Sequence, residues 1–270
     1  RRATAIRMSL ASAVEAGMNP SGGGMRDRVV VVTGASSGIG AATALAFAEA
    51  GATVVGLGRD QARLQNIAEK LDLVLTVDLT RPESVEIAAA AVLDRYGRVD
   101  VLINNAGVGL FVDEEGTSEE ALRELMEVNF FGMRRVTRAF SASLLANKGV
   151  LVQVASVAGL RGYARHTAYC ASKHALVGWS EALRAEWGPK GASVVIVCPP
   201  AIDTPFFDNA GYADFRKDHP RLRLLPPETV AAAILDAVHR RRHRVIIGLR
   251  AKLLYALFWV APGVIERVRG

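Results

Sequence analysis

The chain has 270 residues, of which 50% are hydrophobic and 22% are charged. That apolar fraction is enough for a sizeable core and excludes a chain that is disordered throughout. Its two cysteines, Cys170 and Cys198, offer no disulfide framework and no zinc-type spacing, so the sequence predicts no metal site. Such cysteine usage is typical of a reducing compartment, and we expect a cytoplasmic protein.

The formal net charge of +6 is concentrated at the two ends of the chain. Residues 239–270 carry eight Arg or Lys against one acid, and residues 1–28 carry five Arg against two acids. The middle of the chain is therefore mildly acidic, and it contains no nucleic-acid recognition motif. We expect no nucleic-acid partner. No apolar run approaches the roughly 18 residues of a membrane span.

Residues 1–24 end in a Gly-rich linker pattern and are expected to form a disordered extension before a domain at 25–250. From residue 29 onward, short β-branched apolar runs alternate with helical periodicity. The runs predict buried strands at 29–33, 53–57, 73–77, 99–103, 150–155 and 193–197, with 245–247 as a seventh. The predicted helices are 39–51, 60–71, 82–97, 118–147 and 167–188. This alternation predicts a single α/β domain, a Rossmann-type doubly wound parallel sheet in the order 3-2-1-4-5-6-7.

A glycine-rich segment, Thr33–Gly40, leaves the first predicted strand and opens the first helix. Glycines there allow a tight turn, and backbone N–H groups at a helix N-terminus bind a pyrophosphate. The segment predicts a dinucleotide site. Its contacts are predicted to be Gly34, Ser36, Ser37, Gly38, Ile39 and Gly40.

The end of the second strand bears on the choice of dinucleotide. NAD sites carry an acid at this point, whereas here Arg59 follows the strand and Asp60 is expected to cap the next helix. A guanidinium can fork onto a 2′-phosphate. The sequence therefore predicts NADP(H) as the cofactor, ahead of NAD(H).

Tyr169 and Lys173 are four residues apart on one predicted helix and so share a face. A phenol is a poor base at neutral pH, but a nearby ammonium lowers its pKa. With Asp78, the Asn-Asn-Ala-Gly segment at 104–107, Asn129 and Ser156, this pair makes the chain resemble the short-chain dehydrogenase/reductase family. The resemblance implies an oxidoreductase that interconverts a carbonyl and an alcohol with NAD(P) as acceptor.

The resemblance also implies a role for each marker. Ser156 holds the substrate oxygen, Tyr169 passes the proton, and Lys173 binds the cofactor ribose while lowering the tyrosine pKa. Asn129 shapes its helix to hold a water on the proton path to Lys173. The other implied cofactor contacts are Asp78 and Leu79 at the adenine, Asn105 at the ribose, and the adjoining Ala106 and Gly107.

The sequence departs from the family after the sixth strand, where the usual Pro-Gly is Pro199-Pro200. A second proline removes a backbone donor. The backbone of Ile202 and the hydroxyl of Thr204 still stand where the family binds the carboxamide.

A loop-rich segment at 203–227 corresponds to the family's substrate lid. Its aromatic residues favour a lipophilic substrate, since binding pockets are mostly apolar. The predicted substrate contacts, besides Ser156 and Tyr169, are Leu160, Tyr163, His166, Phe206 and Phe207. Arg161 and His166 are open to two interpretations, as solvated side chains or as contacts to an anionic substrate group.

Residues 251–270 form a basic and apolar tail with helical character, and residues 253–260 are apolar nearly all round. Exposed apolar patches usually mark protein contacts, so we expect a homodimer or homotetramer. The alternatives are docking on the chain's own active site and a peripheral membrane contact through residues 251–262.

Two other functions fit parts of the pattern. A dinucleotide-binding sensor or scaffold can share the fold without turnover. It has no need, however, of the complete set Asn129, Ser156, Tyr169 and Lys173. A nucleotide-sugar epimerase or dehydratase also fits the fold, although those relatives are usually longer and have a different glycine spacing.

Overall fold

The computed structural model describes residues 24–207 and 224–260. Seven parallel strands form one sheet in the order β3-β2-β1-β4-β5-β6-β7, which confirms the predicted fold class and strand order. The strands are β1 (Val29–Thr33), β2 (Thr53–Gly58), β3 (Leu73–Thr76), β4 (Val101–Asn104), β5 (Val150–Val154), β6 (Ser193–Cys198) and β7 (Arg244–Ile246).

Helices cover both faces of the sheet. They are α1 (Gly38–Glu49), α2 (Gln61–Ala68), α3 (Pro82–Tyr96), α4 (Glu119–Met126), α5 (Met133–Ala146), α6 (Thr167–Trp187), α7 (Pro227–His239) and α8 (Leu249–Val260). Side chains of α3, α5 and α6 pack on one face, and those of α1, α2 and α7 pack on the other. The strands read as continuous apolar runs because both of their faces are buried.

The structure corrects one predicted element. The sequence predicts an unbroken helix at 118–147, but a single π-helical turn, Glu127–Gly132, separates α4 from α5. The carboxamide of Asn129 in this turn bonds to both backbone groups of Val108, at 2.8 and 2.9 Å. These contacts reach outside the helix, so local periodicity carries no sign of them. Single π-turns of this kind are frequent at functional sites.

Parts of the predicted segments lie outside the described residues. These are residues 1–23 of the N-terminal extension, residues 208–223 of the lid, and residues 261–270 of the tail. The described part of the tail is helical, and its helix α8 begins at Leu249, two residues before the predicted boundary. Within the described ranges, no helix combines the length and the hydropathy that crossing a bilayer requires.

Candidate active site

One large cleft opens along the carboxyl ends of the strands, and its volume is about 1890 Å³. Ligands of open α/β sheets bind at this edge. Every site residue predicted from the sequence lines the cleft, with the exception of Gly40 and Asn129. The structure therefore brings together residues from seven separate stretches of the chain, between Gly34 and Phe207, in one place.

The glycine-rich turn between β1 and α1 forms one end of the cleft. Gly34 and Gly38 have φ angles of 67° and 53°, in the left-handed region that favours glycine. Ser37, the N-cap of α1, makes no side-chain capping bond, and the first helical turn has no acidic residue. The N–H groups at this helix end therefore remain available to an anion, as a dinucleotide pyrophosphate requires. The turn fits the predicted cofactor.

Gly40 supports the turn from behind. A Cβ atom at this position would lie 2.0 Å from the carbonyl oxygen of Gly34, so no larger residue fits. The Asn105 carboxamide donates a 3.0 Å hydrogen bond to the carbonyl oxygen of Thr33. The hydroxyl of Thr33 in turn accepts bonds from the backbone N–H groups of Asn105 and Ala106. The Asn105 side chain thus holds the turn against the loop that follows β4.

The end of β2 presents an arginine and a carboxylate to the cleft. As predicted, Asp60 caps the next helix: its side chain accepts a 2.9 Å bond from the Arg63 N–H. Arg59 lines the cleft and lies close enough to Asp78 to influence its carboxyl. Burial alone would raise the pKa of Asp78, but two hydrogen bonds from Thr80 and the charge of Arg59 lower it overall.

The segment after β6 closes the same end of the cleft. The side chain of Thr204 packs against the glycine-rich turn, because a Cβ on Gly38 would lie 2.8 Å from its Cγ2 atom. Thr204 Oγ1 also bonds to the carbonyl oxygen of Ile202 at 3.5 Å. The carbonyl oxygen of Pro199 accepts a 3.0 Å bond from the N–H of Val157. The Pro199-Pro200 turn is therefore tied to the residue that follows Ser156.

Tyr169 and Ser156 both line the cleft, and the Ser156 hydroxyl lies close enough to the phenol to influence its pKa. Tyr169 comes from the first turn of α6, and Ser156 follows β5. Burial raises the pKa of the tyrosine, and the nearby Ser156 hydroxyl offsets part of that rise. Because its pKa is raised, the phenol keeps its proton at neutral pH, ready to be donated.

Lys173 lies one helical turn after Tyr169 and is buried. Its Nζ atom is 5.8 Å from the centre of the tyrosine ring and donates a 3.1 Å bond to the carbonyl oxygen of Val154. Burial lowers the pKa of Lys173 to about 8, because the charged form loses solvation. At neutral pH the lysine is thus a buried and mostly protonated cation, 5.8 Å from the centre of the tyrosine ring.

Asn129 lies behind the cleft wall and is fully buried. Besides its two bonds to Val108, its carboxamide donates a 3.1 Å bond to the hydroxyl of Ser172. A Cβ on Gly107 would lie 3.1 Å from Asn129 Oδ1 and 3.6 Å from Lys173 Nζ. The π-turn therefore connects to the part of α6 that carries Tyr169 and Lys173, and only the glycine loop separates Asn129 from the lysine.

Aromatic rings surround Tyr169 on the other side of the cleft. Phe111 is at their centre, with its ring 5.7 Å from that of Tyr169 and 4.7 Å from that of His166. The rings of Phe206 and Phe207 lie 6.2 and 5.6 Å from Phe111. Leu160 and Tyr163 line the same region. This half of the cleft offers an apolar surface beside the reacting hydroxyl.

Sequence reasoning missed three residues that the structure places in or beside the site: Phe111, Ser172 and Thr33. Phe111 is a single aromatic residue between the fourth strand and the next helix, in no motif. For Ser172, the only indication in the sequence of a place near the site is its position directly before Lys173 on the predicted helix. Thr33 belongs to the glycine-rich segment, but its side chain bonds to a loop some 70 residues away.

The chain matches known dehydrogenases over most of its length. A family model described as short chain dehydrogenase matches residues 28–213. The chain belongs to the short-chain dehydrogenase/reductase family. It is 34% identical over 255 residues to the uncharacterized oxidoreductase YxnA of Bacillus subtilis, covering 90% of this chain and 72% of that relative. It is 37% identical over 241 residues to the dehydrogenase/reductase SDR family member 7B of Danio rerio, covering 83% and 78%.

A solved structure extends the likeness to the cofactor. The 3-ketoacyl-(acyl-carrier-protein) reductase from Brucella melitensis, complexed with NADH, is 30% identical with a TM-score of 0.77. The likeness covers 84% of this chain and 99% of that one. As a member of this family, the chain is an oxidoreductase of CH–OH donors that uses a nicotinamide cofactor. The resemblance inferred from the motifs is thereby confirmed.

Proposed function

We propose that this short-chain dehydrogenase/reductase interconverts a ketone or aldehyde and its alcohol with NADP(H), on a lipophilic substrate. One observation carries the proposal: the Tyr169 phenol lies near the Ser156 hydroxyl, with Lys173 Nζ 5.8 Å from the centre of the tyrosine ring, in a cleft that also holds the glycine-rich turn. An acid, an oxygen-binding hydroxyl and a cation therefore share one cleft with a dinucleotide site.

In the direction of reduction, two groups act on the carbonyl oxygen. The Ser156 hydroxyl donates a hydrogen bond to it, and Tyr169 transfers its proton to it as the C=O double bond becomes a C–O single bond. When bound, the nicotinamide supplies the hydride that the carbonyl carbon takes up. The product is the alcohol, and Tyr169 is left as a phenolate. Oxidation runs the same steps backwards, with the phenolate taking the proton of the alcohol.

Lys173 stabilises the phenolate through its positive charge, since an opposite charge nearby favours the ionised form. Its bond to the Val154 carbonyl holds the ammonium in place. Asn129 fixes the π-turn and, through Ser172, the start of α6. We infer that Asn129 positions Lys173 and also holds the water through which the lysine recovers a proton.

Arg59 supports NADP(H) over NAD(H). It lines the cleft directly after β2, and Asp60, the acid next to it, is already engaged in capping α2 and in an ion pair with Arg63. No acid of β2 itself is available to bind ribose hydroxyls. Arg59 is therefore free to pair with a 2′-phosphate, and we assign the cofactor contacts of the sequence analysis to NADP(H) on this basis.

The aromatic cluster around Phe111 supports a lipophilic substrate. Phe206, Phe207 and His166 all lie with their ring centres within 6.2 Å of Phe111, which also contacts Tyr169. A substrate whose carbonyl carbon reaches Tyr169 therefore has aromatic side chains beside its remaining carbons. We propose that Leu160 and Tyr163 complete this surface.

The test is a panel of ketones, aldehydes and alcohols of increasing chain length, assayed by the absorbance of NADPH and of NADH. We expect turnover with NADPH, and we expect kcat/KM to rise as apolar carbons are added to the substrate. Dinucleotide binding without turnover on any member of the panel would contradict the proposal and favour a sensor. Turnover that is insensitive to apolar chain length would contradict the lipophilic substrate alone.

A further inference from the structure

Arg161 lies on the wall of the substrate half of the cleft. It follows the short helical turn Val157–Gly159, which begins directly after Ser156. Its guanidinium is stacked over the ring of Tyr163, 4.7 Å from the ring centre. Its carbonyl oxygen accepts a 3.8 Å bond from the thiol of Cys170, the residue after Tyr169. Its backbone is therefore tied to the helical turn that carries Tyr169, and its side chain is held against Tyr163 in the wall of the same cleft.

The guanidinium of Arg161 has no carboxylate partner among residues 24–207 and 224–260. Some of the other arginines in those ranges do pair with acids, as Arg98 does with Asp100 and Arg123 with Glu119. The side chain of Arg161 is only partly exposed, so it is not simply a solvated surface cation. Stacking on Tyr163 fixes the orientation of its donors.

Within the described residues, acids line only one end of the cleft. They are Asp60 and Asp78, both at the dinucleotide end, where Arg59 and Arg63 also lie. The substrate end has Arg161 and Arg165 along its wall and no acid among the described lining residues. Fixed cations in a cleft with apolar walls raise the local concentration of anions. The substrate end thus combines an aromatic surface with positive charge.

We propose that Arg161 forms a subsite for an anionic group of the substrate. The substrate is then an amphipathic carbonyl compound or alcohol, with an apolar body against Phe111 and a carboxylate or phosphate at Arg161. A guanidinium pairs with either group through two parallel N–H···O bonds. A solvated arginine outside a binding site would not make the protein bind an anion more tightly than a neutral analogue. The inference rests on the proposed function for the reacting end of the substrate.

The experiment measures binding of unreactive probes, so it needs no turnover. Isothermal titration of the full chain compares 4-tert-butylbenzoate with the neutral, nearly isosteric 4-tert-butylbenzamide, and 4-tert-butylphenyl phosphate provides the phosphate arm. The variant is Arg161→Met, which removes the charge and keeps much of the side-chain volume. The matched control is Arg95→Met, because Arg95 is exposed and stacked on Tyr96 at 5.4 Å but lies outside the cleft.

We expect the wild type to bind one of the anions on the order of tenfold more tightly than the amide, as loss of a charged hydrogen bond predicts. Arg161→Met should abolish this preference, and Arg95→Met should keep it. The arm with the larger preference identifies carboxylate or phosphate. Equal binding of the amide and both anions by the wild type, or an unchanged preference in Arg161→Met, would overturn the subsite.

Two further arms keep the result interpretable. If Arg161→Met melts below the wild type, Arg161→Gln replaces it with the same expectation, because its planar amide can still stack on Tyr163. Tyr169→Phe should keep the anion preference while losing turnover. An anion preference in a protein that turns over no carbonyl would refute the proposed function and leave the subsite intact, so the two failures are distinguishable.

Discussion

The carboxamide of Asn129 donates a 3.1 Å hydrogen bond to the hydroxyl of Ser172, the residue directly before Lys173. Asn129 lies in the π-turn, and Ser172 lies in α6 beside the helical face that carries the proposed acid and its cation. Two separate helices are thus joined at the point where the chemistry is proposed to occur.

Ser172→Ala removes two hydrogen bonds, the one from Asn129 and the 2.9 Å bond that the Ser172 hydroxyl donates to the carbonyl oxygen of Tyr169. It should lower kcat, and the loss of the Asn129 bond, worth about 1 kcal/mol, predicts a decrease roughly fivefold larger than that of a control losing only a bond to a backbone carbonyl. The matched control is Ser180→Ala, since Ser180 is buried in the same helix and bonds only to the Leu176 carbonyl among the described residues. Equal decreases in the two variants would show that the link to Asn129 does not matter for turnover.

Arg59→Ala should weaken NADPH much more than NADH, because only NADPH has a 2′-phosphate. The loss of a charged hydrogen bond predicts a rise in the NADPH Kd of about 10- to 100-fold. Fluorescence titration of each dinucleotide measures this. Arg81→Ala is the control: Arg81 also lowers the pKa of Asp78, but it does not line the cleft. If both dinucleotides weaken equally, another residue selects the cofactor.

The pH dependence of reduction follows from the two buried groups. Tyr169 has a raised pKa and stays protonated through neutral pH, whereas burial lowers the pKa of Lys173 to about 8. Below that pH, the phenol holds its proton and the lysine its charge, so kcat/KM for reduction should be flat. Above about pH 8 it should fall, as the lysine loses the charge that stabilises the phenolate. A kcat/KM for reduction that rises with pH through this range contradicts the assignment.

The strands and the order of the motifs could be predicted from the sequence because both are local. A strand buried on both faces appears as a run such as Val29–Thr33, and Asp60 precedes a helix as a cap. The π-turn could not be predicted, because it depends on the contact between Asn129 and Val108, which are 21 residues apart. Phe111 was missed for the same reason, since only the fold brings its ring beside Tyr169.

The exposed face of α8 supports a subunit contact. Leu249, Leu253 and Leu257 are four residues apart and are 73%, 61% and 41% exposed. Monomers rarely leave an apolar stripe uncovered. Light scattering should therefore show a dimer or tetramer that persists in high salt, and deletion after Gly248 should lower the oligomeric order or the solubility.

Salt separates this prediction from a membrane contact. Attachment to anionic lipid through the basic tail would weaken as ionic strength rises, whereas an apolar subunit contact would not. A full-length monomer that sediments with anionic vesicles at low salt would refute the subunit contact and support a peripheral membrane contact.

Turnover by Tyr169→Phe is the most direct test of the account, because its central claim is that the Tyr169 hydroxyl transfers the proton. The substitution keeps the ring against Phe111 and removes only the hydroxyl. We predict that kcat falls on the order of 10²- to 10⁴-fold, as expected for loss of a general acid, while the Kd for NADPH stays close to that of the wild type. A kcat near the wild-type value, at normal NADPH affinity, would contradict the claim.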